Sequence, residues 1–126
     1  MILITGGSYQ GKLAYARAAY GLDDADIFTC DWDTDAIDYS KRCIAYIDRF
    51  AFNRVSAGEE PAEAFGEGAP LREDAIIITT DISGGIVPLD ATQRAWREAC
   101  GRMNNRLAAR AGEVWRLFCG IPQRLK

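Results

Sequence analysis

Gly6-Gly7-Ser8-Tyr9-Gln10-Gly11-Lys12 sets a third glycine five residues after the first and a lysine directly behind it. Glycines let successive backbone N–H groups turn into one concavity, and a helix starting there adds partial positive charge. A lysine at the end of such a loop supplies a compact charge for the outer phosphates of a polyphosphate. The chemistry this spacing supports is capture of a phosphate chain, and the candidate binding residues are Gly6, Gly7, Ser8, Tyr9, Gln10, Gly11, Lys12 and Leu13. Loops of this kind carry Ser or Thr after the lysine, whose hydroxyl ligates Mg²⁺. Leu13 occupies that place and has no hydroxyl.

Two carboxylates could work with the loop. Asp81 follows Ala75-Ile76-Ile77-Ile78-Thr79-Thr80, the strongest strand pattern in the chain, apolar on both faces as a central parallel strand is. Ligands of open α/β sheets bind outside the carboxyl ends of the strands, so Asp81 and the loop after Ile4 are expected on one rim. There Asp81 could position Mg²⁺, or it could tether the next turn. Asp31 begins Asp31-Trp32-Asp33-Thr34-Asp35, just past a short strand over Ala25–Cys30. A calcium loop is excluded, because its sixth and twelfth positions are Ala36 and Arg42 rather than glycine and glutamate. Asp31 stays open between indirect Mg²⁺ binding and helix capping; Thr34 and Asp35 read as caps.

The elements that must position these residues follow in order. Met1–Thr5 reads as a strand, and Ala14–Tyr20 as a helix stopped by Gly21. Apolar residues from Ile37 to Val55 recur at spacings of three and four, which predicts one helix over Ala36–Ala57. Its aromatics Tyr39, Tyr46, Phe50 and Phe52 read as core and partner-facing residues rather than a base-stacking platform. Glu59–Glu73 reads as a connection with a short helical turn at Ala62–Phe65. Asp90 with Gln93 forms a capping-box pattern ahead of a helix to Ala111. Glu113–Cys119 is a further strand, and Gln123–Lys126 a short edge strand after a turn at Gly120-Ile121-Pro122.

The chain of 126 residues is expected to form a single domain, 1–126. A net charge of −3 argues against a protein that coats nucleic acid. No leader or membrane span is apparent, and with no histidine and four widely spaced cysteines no zinc site is expected. Reduced thiols and a cytoplasmic location are the expectation. The arginines Arg94 to Arg124 read mostly as a solvated face, with one or two meeting an anionic ligand.

Three further segments make the chain recognisable. Thr79-Thr80-Asp81-Ile82-Ser83-Gly84-Gly85-Ile86-Val87-Pro88 resembles T-x-E-V-G-x-G-I-V-P. Gly101-Arg102-Met103-Asn104-Asn105-Arg106-Leu107-Ala108 resembles G-R-V-N-Q-x-L-A, and Glu113-Val114-Trp115 with Gly120-Ile121 resembles a closing E-V-W strand and G-I turn. With Ile4-Thr5-Gly6-Gly7 and Gly11-Lys12, these resemble the adenosylcobinamide kinase / adenosylcobinamide-phosphate guanylyltransferase family. The likeness covers the first twenty residues and the chain from Ala75 on, while Leu22–Asp74 reads as a poor, shortened match. The resemblance implies an α/β P-loop NTPase of RecA-like, three-layer form with a small, mostly parallel sheet, assembled as a homo-oligomer, commonly a trimer. It implies ATP or GTP with Mg²⁺, a corrinoid substrate (cobinamide), and phosphorylation of the substrate's aminopropanol hydroxyl. Lys12, Asp81 and Asp31 would be the catalytic residues and Asp81 the metal residue. A second reaction, guanylyl transfer through a histidine, is excluded here by the absence of histidine. That absence and Leu13 also motivate an alternative: a non-catalytic nucleotide- or corrinoid-binding regulatory or scaffold protein.

Overall fold

The computed structural model describes residues 1–126. Its strands are β1 (Ile2–Gly6), β2 (Ile27–Thr29), β3 (Cys43–Ala45), β4 (Ile76–Ile78), β5 (Glu113–Phe118) and β6 (Ile121–Arg124). Its helices are α1 (Lys12–Tyr20), α2 (Ile47–Ser56) and α3 (Ala91–Arg110), with 3-10 turns at Asp24–Asp26 and Pro61–Phe65. The sheet order is β2-β3-β4-β1-β5-β6, parallel except for the β5–β6 hairpin. This is the expected α/β fold with a mostly parallel sheet. No helix is long and apolar enough to cross a membrane.

Alternation along the strands divides the core into two layers. Ile4, Ile76, Ile78, Cys43, Ala45 and Leu117 pack with Ala16 of α1 on one face. Leu3, Ile44, Ile77 and Val114 face the other way, toward Ile47, Phe50 and Ala51 of α2, Cys100, Met103 and Leu107 of α3, and Phe65. Phe65 is fully buried, edge-to-face with Phe50 at 6.2 Å between ring centroids. The connection that carries Phe65 is pinned to α3 by arginines. Arg102 pairs with Glu60 at 2.8 Å, Arg106 donates to the Ala62 carbonyl at 2.9 Å, and Arg110 donates to Phe65 and Gly66 carbonyls. Arg94 and Arg97 likewise donate to carbonyls between Ser83 and Leu89. The arginine-rich face of α3 is therefore a set of clamps on two loops rather than a purely solvated face.

The long helix expected over Ala36–Ala57 does not form as one element. Residues 37–42 form neither helix nor strand, Cys43-Ile44-Ala45 is a strand buried on both faces, and α2 starts only at Ile47. Tyr46, with φ 60, makes the left-handed break between them. A three-residue apolar strand beside a helix leaves the same three-and-four spacing as one continuous helix, so periodicity could not separate them. With no helix beginning near Ala36, Thr34 and Asp35 cap nothing; Thr34 Oγ1 instead accepts a hydrogen bond from the Asp31 N–H at 2.7 Å. The edge strand also begins two residues earlier than expected, at Ile121. A turn with positive φ at Cys119 (53°) and Gly120 (74°) fits the twist of a tight hairpin. Pro122 is tolerated there because β6 is an edge. Asp90 caps α3 as expected, accepting from the Gln93 N–H at 2.9 Å.

β1 lies between β4 and β5, both parallel to it, and its crossover α1 leads away to the far edge. The carboxyl end of β1 is therefore a switch point in strand order, where open α/β sheets form a crevice.

Candidate anion-binding cleft

At that crevice β1 ends on Gly6, with φ 152, and the chain turns through Gly7–Gly11 into α1. A Cβ on Gly6 would lie 2.5 Å from the Leu117 carbonyl oxygen, so only glycine lets the loop leave the sheet here. Gly11, with φ 84, precedes α1, and no side chain caps the helix. The first N–H groups of a helix have no partner within it; those of α1 face this loop. The loop is tied to the β5–β6 turn, where Gly120 N–H donates to the Gln10 carbonyl (3.1 Å) and Cys119 N–H to Gln10 Oε1 (2.5 Å). Tyr9, Tyr46 and Cys119 are the non-glycine residues with positive φ; Tyr9 lies in this loop, Tyr46 lines the same cleft and Cys119 is bonded to Gln10. Backbone strain of that kind is held where surrounding structure over-determines it, typically at binding sites.

Lys12 is 4% exposed, and its Nζ donates to the Gly7 carbonyl at 2.7 Å. Burial draws the ammonium below its ordinary 10.5, and the charge of Asp48 opposes that shift. The cleft in front has a volume of about 560 Å³ and is lined by Ser8–Ala14 together with Trp32, Tyr46, Arg49 and Thr80. A larger cleft of about 720 Å³ lies elsewhere, but Asp35, Glu59, Glu60 and Glu63 line it, with Arg54 already paired to Glu59 at 2.8 Å. Its charge repels anions, whereas Lys12, Arg49 and the helix N-terminus give the smaller cleft the opposite sign.

Of the expected binding residues, Ser8 to Leu13 line the cleft; Gly6, Gly7 and the two carboxylates do not. Asp81 does share the rim, since its N–H donates to the Gly6 carbonyl at 2.8 Å. Its carboxylate turns away to accept from Ser83 N–H (2.9 Å) and Oγ (2.5 Å), bonds that hold it below its ordinary 3.8. Asp31 is exposed at the end of β2, and its carboxylate accepts from the Trp32 N–H at 2.8 Å. Neither lines the cleft. No group of three or more acidic or thiol side chains converges to hold a metal. With Leu13 contributing no oxygen, these donors do not fit a protein-held Mg²⁺.

Sequence reasoning missed Asp48 and Arg49. Asp48, 4% exposed in the first turn of α2, accepts from the Thr80 N–H at 2.9 Å and so fixes the end of β4. Its own carbonyl accepts from Trp96 Nε1 at 2.7 Å. Burial pushes its carboxyl above 3.8, against the hydrogen bonds from Thr80. A folded-state value above the unfolded one means the unfolded chain ionises first as pH rises. Stability credited to Asp48 is thus full below 3.8 and lost as pH climbs through the raised value. Asp48→Asn removes this slope, so urea unfolding from pH 3 to 7 should show the variant gaining on the natural chain as pH rises. The available signal was a carboxylate on the apolar stripe of a helix, which became readable only once α2 was known to begin at Ile47.

The fold and loop define an α/β protein of the P-loop NTPase type. A family model described as cobinamide kinase / cobinamide phosphate guanyltransferase matches residues 46–125. The bifunctional adenosylcobalamin biosynthesis proteins CobU of Salmonella typhimurium (strain LT2) and Escherichia coli (strain K12) are 41% and 39% identical to this chain over 51 residues. Each matched stretch is 40% of this chain and only 28% of the relative's length. The chain belongs to the cobinamide kinase / cobinamide phosphate guanyltransferase family. The family match starts at Tyr46, so it takes in part of the middle expected to match poorly and leaves the loop at Gly6–Lys12 outside. The loop stands on its own residues and geometry.

Proposed function

We propose that this protein binds ATP or GTP through Gly6–Leu13 and phosphorylates the aminopropanol hydroxyl of cobinamide or adenosylcobinamide. The observation that carries this reading is the buried Lys12 beside an uncapped helix N-terminus at the sheet's switch point. Backbone N–H groups hold the phosphate chain, and Lys12 neutralises the outer phosphates. Phosphoryl transfer needs alignment and charge neutralisation more than covalent help. The substrate hydroxyl attacks the γ-phosphorus, the bond from that phosphorus to the β,γ-bridging oxygen breaks, the nucleoside diphosphate leaves and the hydroxyl proton passes to solvent. Asp81, held ionised by Ser83, is a weak base, and no step is assigned to it or to Asp31. Guanylyl transfer through a histidine is absent, because the chain has none. The family supplies the substrate class, and the cleft supplies the chemistry. Assembly as a homo-oligomer belongs to the same reading and is supported by exposed Ile86, Val87, Leu89, Phe118 and Ile121.

The assay is purified protein with Mg-ATP or Mg-GTP and cobinamide, read by mass spectrometry. Cobinamide phosphate is expected, and its absence above a Lys12→Met control overturns the catalytic reading. Leu13 and the outward-turned Asp81 favour a second reading, a nucleotide- or corrinoid-binding protein without turnover. Calorimetric binding of nucleotide or corrinoid with no product supports that alternative.

A further inference from the structure

Arg49 is held in an unusual way for this molecule. Its Cζ lies 4.8 Å from the Tyr46 ring centroid and 5.5 Å from that of Trp32. Trp32 is steadied from behind by Phe52 (5.6 Å) and Trp96 (5.8 Å), so the slot is set by an aromatic cluster rather than by loose side chains. Ring faces attract a cation's charge without occupying its N–H donors in ordinary hydrogen bonds. The other guanidiniums, Arg116 excepted, are engaged with carboxylates, a side-chain amide or backbone carbonyls. Arg49 alone combines free donors with a place in the wall of the cleft that Lys12 lines. The nearby Asp48 carboxylate is turned to Thr80 and forms no ion pair with it.

We propose that Arg49, gripped between Trp32 and Tyr46, is a second anion-binding position of the cleft and takes the terminal phosphate of a bound nucleoside triphosphate. The assignment rests on the triphosphate reading above and adds to it. A planar guanidinium can meet two phosphate oxygens at once, which a lysine cannot. Leu13 leaves the outer phosphate without the hydroxyl-held metal contact usual for such loops. Arg49 supplies charge at that end from the lining of the same cleft. Loss of Arg49 therefore weakens triphosphate binding selectively, because a diphosphate does not reach it.

The test is titration of the natural chain, Arg49→Gln, Arg49→Lys and Lys12→Met with ATP and ADP. Calorimetry is read alongside tryptophan fluorescence, since Trp32 stacks on the residue in question. Arg49→Gln is expected to lose about 10- to 30-fold for ATP, the range of one charge-assisted bidentate contact. For ADP the change should stay within about twofold, a difference far below one such contact. Arg49→Lys should fall between, and it carries the test if the glutamine variant does not fold. Equal loss for ATP and ADP, or ATP affinity unchanged in both Arg49 variants while Lys12→Met loses it, overturns the Arg49 assignment alone. No ATP binding by the natural chain overturns the triphosphate reading, and the Arg49 assignment with it.

Discussion

Lys12→Met is expected to weaken ATP binding by about 100-fold, the upper end of what one charge-assisted hydrogen bond contributes. Its melting temperature should not fall. The two halves of this result separate a binding residue from a structural one. Methionine keeps the helix start and most of the buried stem of Lys12 while removing the charge. Inside the fold that charge is a burden: burial lowers the ammonium's pKa, and its one hydrogen bond is to the Gly7 carbonyl. A cation buried with no ion pair of its own is expensive to keep. Removing it relieves that cost, and Asp48 keeps the charge of Arg49 nearby, so no loss of stability follows. Differential scanning calorimetry checks the stability half, and titration calorimetry with ATP the binding half.

Gly6→Ala is expected to destabilise the protein by about 3 kcal/mol, combining overpacking with a forbidden backbone conformation. The added Cβ would stand 2.5 Å from the Leu117 carbonyl oxygen, a backbone atom held in the β1–β5 ladder. No rotamer change moves it away. At φ 152 the residue also lies where side chains are not accommodated. The strain falls at the last paired residue of β1, so the loop moves with the sheet edge, and phosphate binding should fall along with the urea midpoint. A midpoint unchanged from the natural chain would mean that β1 and β5 separate at Gly6 more easily than this packing allows.

The parts of the molecule that were legible in sequence are those where a local pattern had one meaning. Ile76-Ile77-Ile78 could only be an inner strand, Gly21 a helix stop, and Asp90 with Gln93 a helix start. The loop at Gly6–Lys12 was legible because glycine positions dictate backbone shape directly. The middle was not. Cys43-Ile44-Ala45 is a strand because its neighbours β2 and β4 lie at the right spacing, and three apolar residues do not announce that. Mistaking it for helix hid Asp48 and Arg49, since their place at the carboxyl end of β3 depends on where α2 begins. It also made Tyr46 read as a core or partner-facing residue when it lines the cleft. Asp81 shows the reverse case. Its position on the rim was readable, but the direction of its carboxylate depends on Ser83, two residues on.

The proposed function requires that the loop at Gly6–Lys12 seat a triphosphate. The most direct measurement is an amide NMR titration with ATP, followed residue by residue. The largest shifts are expected at Gly7, Gly11, Lys12 and Leu13, with Tyr46 and Arg49 moving in step and Glu60 and Glu63 of the larger acidic cleft unmoved. No shift at the loop at millimolar ATP, or shifts gathered at the acidic cleft instead, would contradict it.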